Sequence, residues 1–222
     1  MSAVHLSGLP ATVVPTEAEL EFDRQVDALT LAGLPAHLDL HDACFRAFLE
    51  PLRDLLPPAG VQAADRIPFV VVVPDVGVRD VLAGVHTVGG TGFTTMDDED
   101  VARFHPLPEL DVPRAPYLLL DVDTGDDTRG QTPAEVLPQL VARGRSPLTI
   151  AEGLAVLVSE PGVLTARNAF SLLGSRAGDK RVPALWTSDR RPRLGWCYQG
   201  APHTWLGSAS CAGRLGEQGL VN

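Results

Sequence analysis

Lysine is nearly absent. Of 18 Lys and Arg residues only Lys180 is a lysine, and together they are outnumbered by 28 Asp and Glu. The formal charge of −10 argues against non-specific nucleic-acid or anionic-membrane binding. Cysteine is scarce as well. Cys44, Cys197 and Cys211 lack close spacing, which excludes a disulfide framework and a zinc-ribbon pattern. No apolar run approaches the roughly 20 residues that a membrane helix needs. The opening MSAVHLSGLPATVVP has no basic n-region and no long apolar core. Neither a signal nor a transit peptide is expected, and the expected location is the cytoplasm. Internal repeats and low-complexity tracts are missing. The glycine-rich run Val88-Gly89-Gly90-Thr91-Gly92 has no Gly-Lys-Ser/Thr, and the strand-favouring Phe93-Thr94-Thr95 follows it. A plain turn is expected there rather than a phosphate cradle.

What is present is 45% apolar content, enough for a sizeable core. The stretch Pro116–Gly144 organises the rest. Tyr117–Leu120 is a short apolar run suited to a buried strand. Asp121, Asp123, Asp126 and Asp127 crowd around Gly125 as a turn. Thr132-Pro133-Ala134-Glu135 then starts a helix: Thr132 caps it, Pro133 takes the first position, and Glu135 completes a capping box. Pro138 predicts a kink or restart.

Two further capping boxes are read at Thr16-x-x-Glu19 and Thr149-x-x-Glu152. The first opens a helix carrying Phe22, Val26 and Leu29. Asp39 is expected to cap a second helix with the stripe Leu40, Cys44, Phe48, Leu52 and Leu55, making Cys44 a buried structural thiol. Together these form an N-terminal helical hairpin. Phe69–Val73 reads as a strand, Val78–Val85 as a short helix, and Pro106, Pro108, Pro113 and Pro116 mark an extended connector. The helix after Thr149 is apolar nearly all round and is expected to be buried. From Asn168 onward the pattern predicts an antiparallel meander. The fold class is thus α+β (mixed α/β): helical hairpin, central mixed sheet with helices, C-terminal meander. The connector near residues 57–66 separates a helical arm, 1–56, from a main domain, 67–222, the two forming one compact unit.

If Gln199–Pro202 form a hairpin loop, Tyr198 opposes His203 and Trp196 opposes Trp205. All four rings then share one face, either as cross-strand packing or as the lining of a small-molecule pocket with His203 as acid, base or ligand. A loop at Asp189–Pro192 puts Trp186 across from Gly195. Cys197, His203 and Cys211 are weak zinc candidates. Their spacing is unusual, a fourth ligand is missing, and Cys197 falls on the face opposite His203.

The acidic turn admits several readings. An apolar strand ending in Asp-x-Asp resembles the nucleophile motif of haloacid-dehalogenase-type phosphatases, which implies a Mg-dependent hydrolase or phosphatase. The turn also resembles the opening of a calcium loop, with Thr132 where the bidentate Glu should be. Otherwise Asp121, Asp123, Asp126 and Asp127 hold a divalent cation such as Mg ad hoc, pair with Arg129 or another arginine, or form a solvated turn.

The segments LLLDVDTGDD, ARGRSPLTIAEG, LLGSRAGDKRVPALW and LGWCYQGAPHTWLGSASCAGR lie within residues 117–214. Over that span the chain resembles an uncharacterised actinobacterial family, a domain of unknown function. The resemblance implies a GC-rich actinobacterial source and a cytosolic location, with no activity or catalytic residue to carry over. The function expected first is small-molecule binding at Trp196, Tyr198, His203 and Trp205. The alternatives are the Mg-dependent enzyme, and a protein-interaction or structural role with the N-terminal helices docking a partner or a second copy.

Overall fold

The computed structural model describes residues 15–58, 65–165 and 167–216. Helix α1 (Glu17–Leu31) begins at the Thr16–Glu19 capping box, with both reciprocal hydrogen bonds formed. Its face of Phe22, Val26 and Leu29 is buried. After Gly33, at φ +86°, come α2 (Leu34–His37), α3 (Asp42–Leu49) and a 3-10 turn at Glu50–Leu55. Here the stripe read from sequence is out of phase. Asp39 takes φ +53° instead of capping, His41 becomes the N-cap, and the helix buries Phe45 and Leu49. Cys44 and Phe48 therefore face solvent, which corrects the expectation of a buried Cys44 thiol.

Strand β1 (Ile67–Val72) leads to α4 (Val78–Gly84), the short strands β2 (His86–Thr87), β3 (Gly90–Thr91) and β4 (Phe93–Thr94), then α5 (Asp98–Ala102) and β5 (His105–Pro106). The glycine-rich run is the turn of the β2–β3 hairpin. The proline-marked connector reaches β6 (Tyr117–Val122). Helix α6 (Pro133–Ala142) starts at the Thr132–Glu135 box and runs through Pro138 without a break. Pro138 is exposed, so water can take the carbonyl it frees. Next come β7 (Ser146–Pro147) and α7 (Ile150–Ser159), which starts at the Thr149–Glu152 box and is buried on almost every side. The chain ends in β8 (Ala169–Ser171), β9 (Ser175–Arg176), β10 (Arg181–Ser188), β11 (Arg191–Tyr198), β12 (Leu206–Ser208), β13 (Ser210–Cys211) and β14 (Gly213–Gly216).

The class is α+β. One sheet has the order β1-β6-β14, all antiparallel. The other has the order β12-β8-β10-β11-β4, with β4 and β12 parallel to their neighbours. The main core joins α1, α3, β1, β6 and α7. The N-terminal helices add Phe22, Val26, Leu29, Phe45 and Leu49 to it directly. A smaller core lies where α6 sets Val136 and Leu140 against Leu173, Val182, Ala184 and Cys197.

The meander holds for β8, β10 and β11 and fails for the last strand. β12 pairs with β8 at the far side of the sheet, not with β11. The reason lies in the intervening loop. Its carbonyls at Gln199 and His203 accept the N–H groups of Ala134 and Gly130. This ties the loop to the segment leading into α6, so it cannot fold back as a hairpin. The β10–β11 turn is also tighter than expected: Ser188 pairs with Arg191, leaving Asp189 and Arg190 alone at φ +52° and +62°. Two positive φ values suit the right-handed twist of the strands. Trp186 thus opposes Arg193, and Ala184 opposes Gly195. The Trp186 ring still covers Gly195 diagonally, and a Cβ there would collide with it.

Edge strand β1 is protected by one side chain. Gln25 Oε1 accepts from Val71 N at 2.8 Å, and Gln25 Nε2 donates to the Phe69 carbonyl at 2.9 Å. A single amide thus stands in for the next strand of the sheet.

Candidate functional site

The aspartates of the acidic turn are each engaged by arginine. Asp121 Oδ2 accepts from Arg66 Nη1 at 2.9 Å and Arg145 Nη1 at 2.7 Å. Arg145 also donates to the Asp121 carbonyl and to Ser210. Asp123 Oδ1 accepts from Gly125 N at 2.7 Å, and its other oxygen lies 3.5 Å from Arg66 Nε. Asp126 pairs with Arg129, and Asp127 with Arg143. Gly125, at φ +83°, presses on the Ser208 backbone where no Cβ fits. The turn is latched to the C-terminal strands. Among the described residues no group of three or more His, Cys, Asp or Glu is placed to hold a metal ion.

The four aromatic residues do not share a face. Side chains alternate along β11, so Trp196 and Tyr198 point away from Cys197. Their rings meet edge to face at 5.1 Å on the side of Phe104, with Arg181 over both Trp196 and Phe104. Trp205 lies on the other side with Trp186, ring centres 6.4 Å apart, and His203 is 5.4 Å from Trp205. The sheet separates the two groups, which corrects the single aromatic face built on a β11–β12 hairpin. Cys197 and Cys211 are both buried, and burial pushes each thiol up to about 11.

Two features went unread in the sequence. The first is a buried polar network. Glu152 is fully buried on α7, and its Oε2 takes the Thr149 backbone N–H at 2.7 Å as the capping box requires. The same carboxylate accepts from Arg214 Nε at 2.5 Å, Arg214 Nη2 at 2.9 Å and the Tyr117 hydroxyl at 2.9 Å. Burial, then the Glu152 charge, raises the Tyr117 pKa above its ordinary value. Burial opposes the Arg214 charge, but hydrogen bonding and the charge of Glu152 outweigh it and hold that pKa above the usual range. The available signal was a glutamate on an otherwise apolar helix, because a buried carboxylate demands a cation.

The second is a cavity of about 650 Å³. Leu29 and Leu34 wall one side, and Ile150, Leu154 and Val158 of α7 another. Val73, Val76, Val81, Val101 and Phe104 add further apolar surface, and the connector contributes Leu110, Val112 and Pro113. Prolines suit such a wall because they bring no N–H that needs a partner. Buried polar groups reach it at Tyr117, Thr149 and Ser175. Asp75 and Arg114, both exposed, stand at its rim. Tyr117 belongs to both the cavity wall and the Glu152–Arg214 network.

No helix among the described residues is long and apolar enough to cross a membrane. No curated protein and no solved structure matches the chain. A family does, over residues 28–217, which takes in both sheets, the buried network and the whole cavity wall. The chain belongs to that family, described as a family of unknown function (DUF5701).

Proposed function

We propose that the protein binds a small, largely apolar molecule in the cavity between α7, α4 and the proline-rich connector. The observation that carries this reading is the cavity itself. Its 650 Å³ falls within the roughly 300–1,000 Å³ of ordinary ligand sites, and apolar walls with a few convergent polar groups are what such sites use. The ligand reading made from the sequence is thereby moved from Trp196, Tyr198, His203 and Trp205, none of which is among the residues lining the cavity, to the residues that do line it. A metal-dependent hydrolysis at the acidic turn has less support, because arginines already occupy the carboxylates it would need.

Ala155 on α7 lines the cavity and offers the test. Ala155→Phe places a ring in the space the ligand would fill. Wild-type protein is expected to bind an environment-sensitive apolar dye with a fluorescence rise and a higher Tm, and the variant is expected to lose both while keeping its circular dichroism. Equal dye response in the two proteins would locate apolar binding elsewhere.

A further inference from the structure

Two hydroxyls in the cavity wall have a proton to give and no acceptor for it among the described residues. Thr149 and Ser175 are each 2% exposed. Each already serves the start of α7 as an acceptor: Thr149 Oγ1 takes the Glu152 N–H, and Ser175 Oγ takes the Ile150 N–H at 3.0 Å. The equivalent threonine of α6 behaves differently. Thr132 Oγ1 also donates, to Glu135 Oε2 at 2.8 Å. On α7 that outlet is closed, because Arg214, Tyr117 and the Thr149 backbone N–H occupy the Glu152 carboxylate. A buried donor left without an acceptor is costly, and here both residues line the same largely apolar space.

From this we infer that the ligand of the proposed pocket is an amphiphile with a hydrogen-bond-accepting head, a carboxylate of the fatty-acid class. Its head accepts from Thr149 and Ser175 at the amino end of α7, and its chain lies along Leu154, Val158 and Leu110. The inference rests on the pocket reading above and adds the polarity and direction of the ligand. The start of α7 supports an anionic acceptor there through its dipole. Glu152 does not oppose it, since Arg214 neutralises that charge at 2.5 Å. The rim charges Asp75 and Arg114 have opposite signs.

The experiment compares three probes of one chain length, decanoate, 1-decanol and decylamine, the two ionic ones below their micelle concentrations and the alcohol below its solubility limit. Calorimetry or dye displacement is run in about 0.3 M salt to screen the surface field. At −10 the protein as a whole attracts the amine and repels the acid, so a preference for the acid must come from the site. Decanoate is expected to bind about tenfold or more tightly than decylamine, with decanol between them. In Ser175→Ala the acid's advantage is expected to fall severalfold, and in Thr149→Ser, which keeps a hydroxyl, to stay. Decylamine binding as well as decanoate would overturn the head-group assignment and leave the pocket reading standing. An acid preference that survives both Ser175→Ala and Thr149→Val would overturn the role of these hydroxyls. Binding of none of the probes would sink the pocket reading itself.

Discussion

Gln25 shows how much a single side chain decides. Strand β1 is an edge, and an edge exposes backbone donors and acceptors to whatever strand comes near. The Gln25 amide closes two of these groups at once and is itself fully buried between α1 and the sheet. Replacement by leucine keeps the volume and removes both partners. The Val71 N–H and the Phe69 carbonyl are then buried without hydrogen bonds, each costing on the order of 1–3 kcal/mol. Gln25→Leu is expected to lower stability by about 2–4 kcal/mol, seen in urea titration as a lower midpoint at an unchanged slope. A midpoint within error of wild type would mean that the amide contributes nothing net. Glu152 follows the same logic with a charge. Its partners lie 35 and 62 positions away, so no local pattern announces them.

At the scale of elements, the β10–β11 turn holds two non-glycine residues at positive φ. Such conformations cost L-residues roughly 1 kcal/mol each, and Asn-Gly is the pair that relieves them. The hydrogen bond that Thr87 donates to Arg190 ends on its carbonyl oxygen, which glycine retains. Asp189→Asn with Arg190→Gly is therefore expected to stabilise the protein by about 0.5–1 kcal/mol, part of the relief being offset by the freer unfolded chain. A lower Tm in calorimetry would show that the Arg190 side chain matters more than the backbone. This turn also marks where the sequence stops being legible. Three capping boxes, at Thr16, Thr132 and Thr149, are readable because donor, acceptor and spacing all lie within four residues. The β-branched run of β1 is readable for a similar reason. Strand register depends instead on which of two nearly equal loops closes, and one residue of slip exchanges the faces. The expected β11–β12 hairpin fails because Gln199 and His203 spend their carbonyls on the start of α6. Of the candidate site, the sequence therefore reveals the Thr149–Glu152 start of α7 and hides the cavity it faces. That cavity is assembled from segments as distant as Leu29 and Ser175.

At the scale of the whole molecule, the buried thiols and the Tyr117 hydroxyl hold their protons tightly, and this sets the response to alkali. Burial raises the thiols of Cys197 and Cys211 from 9.0 to about 11, and the Tyr117 hydroxyl rises further. A raised pKa in the folded state means the native protein holds its proton more tightly than the unfolded chain does. The associated stability is complete below the unfolded pKa and is lost as pH climbs through the folded one. For the two thiols the window runs from 9.0 to about 11, and the Tyr117 contribution starts to fall near its unfolded value of 10.0. Each thiol removes roughly 1.4 kcal/mol per pH unit inside its window, a loss of a few kcal/mol in total. Folding free energy is thus expected to bend downward above pH 9, before the Tyr117 contribution starts to fall. In Cys197→Ala/Cys211→Ala the same curve should stay level to about pH 10 and fall only then. The cavities left by the two alanines lower the whole curve without moving its bend, so the shape of the profile is the readout. Urea titrations at half-unit steps from pH 7.5 to about pH 11 measure it directly. If the double variant bends at the same pH as the wild type, the thiols are not the groups that hold the extra protons, and the interior around Cys197 and Cys211 is wetter than the packing implies.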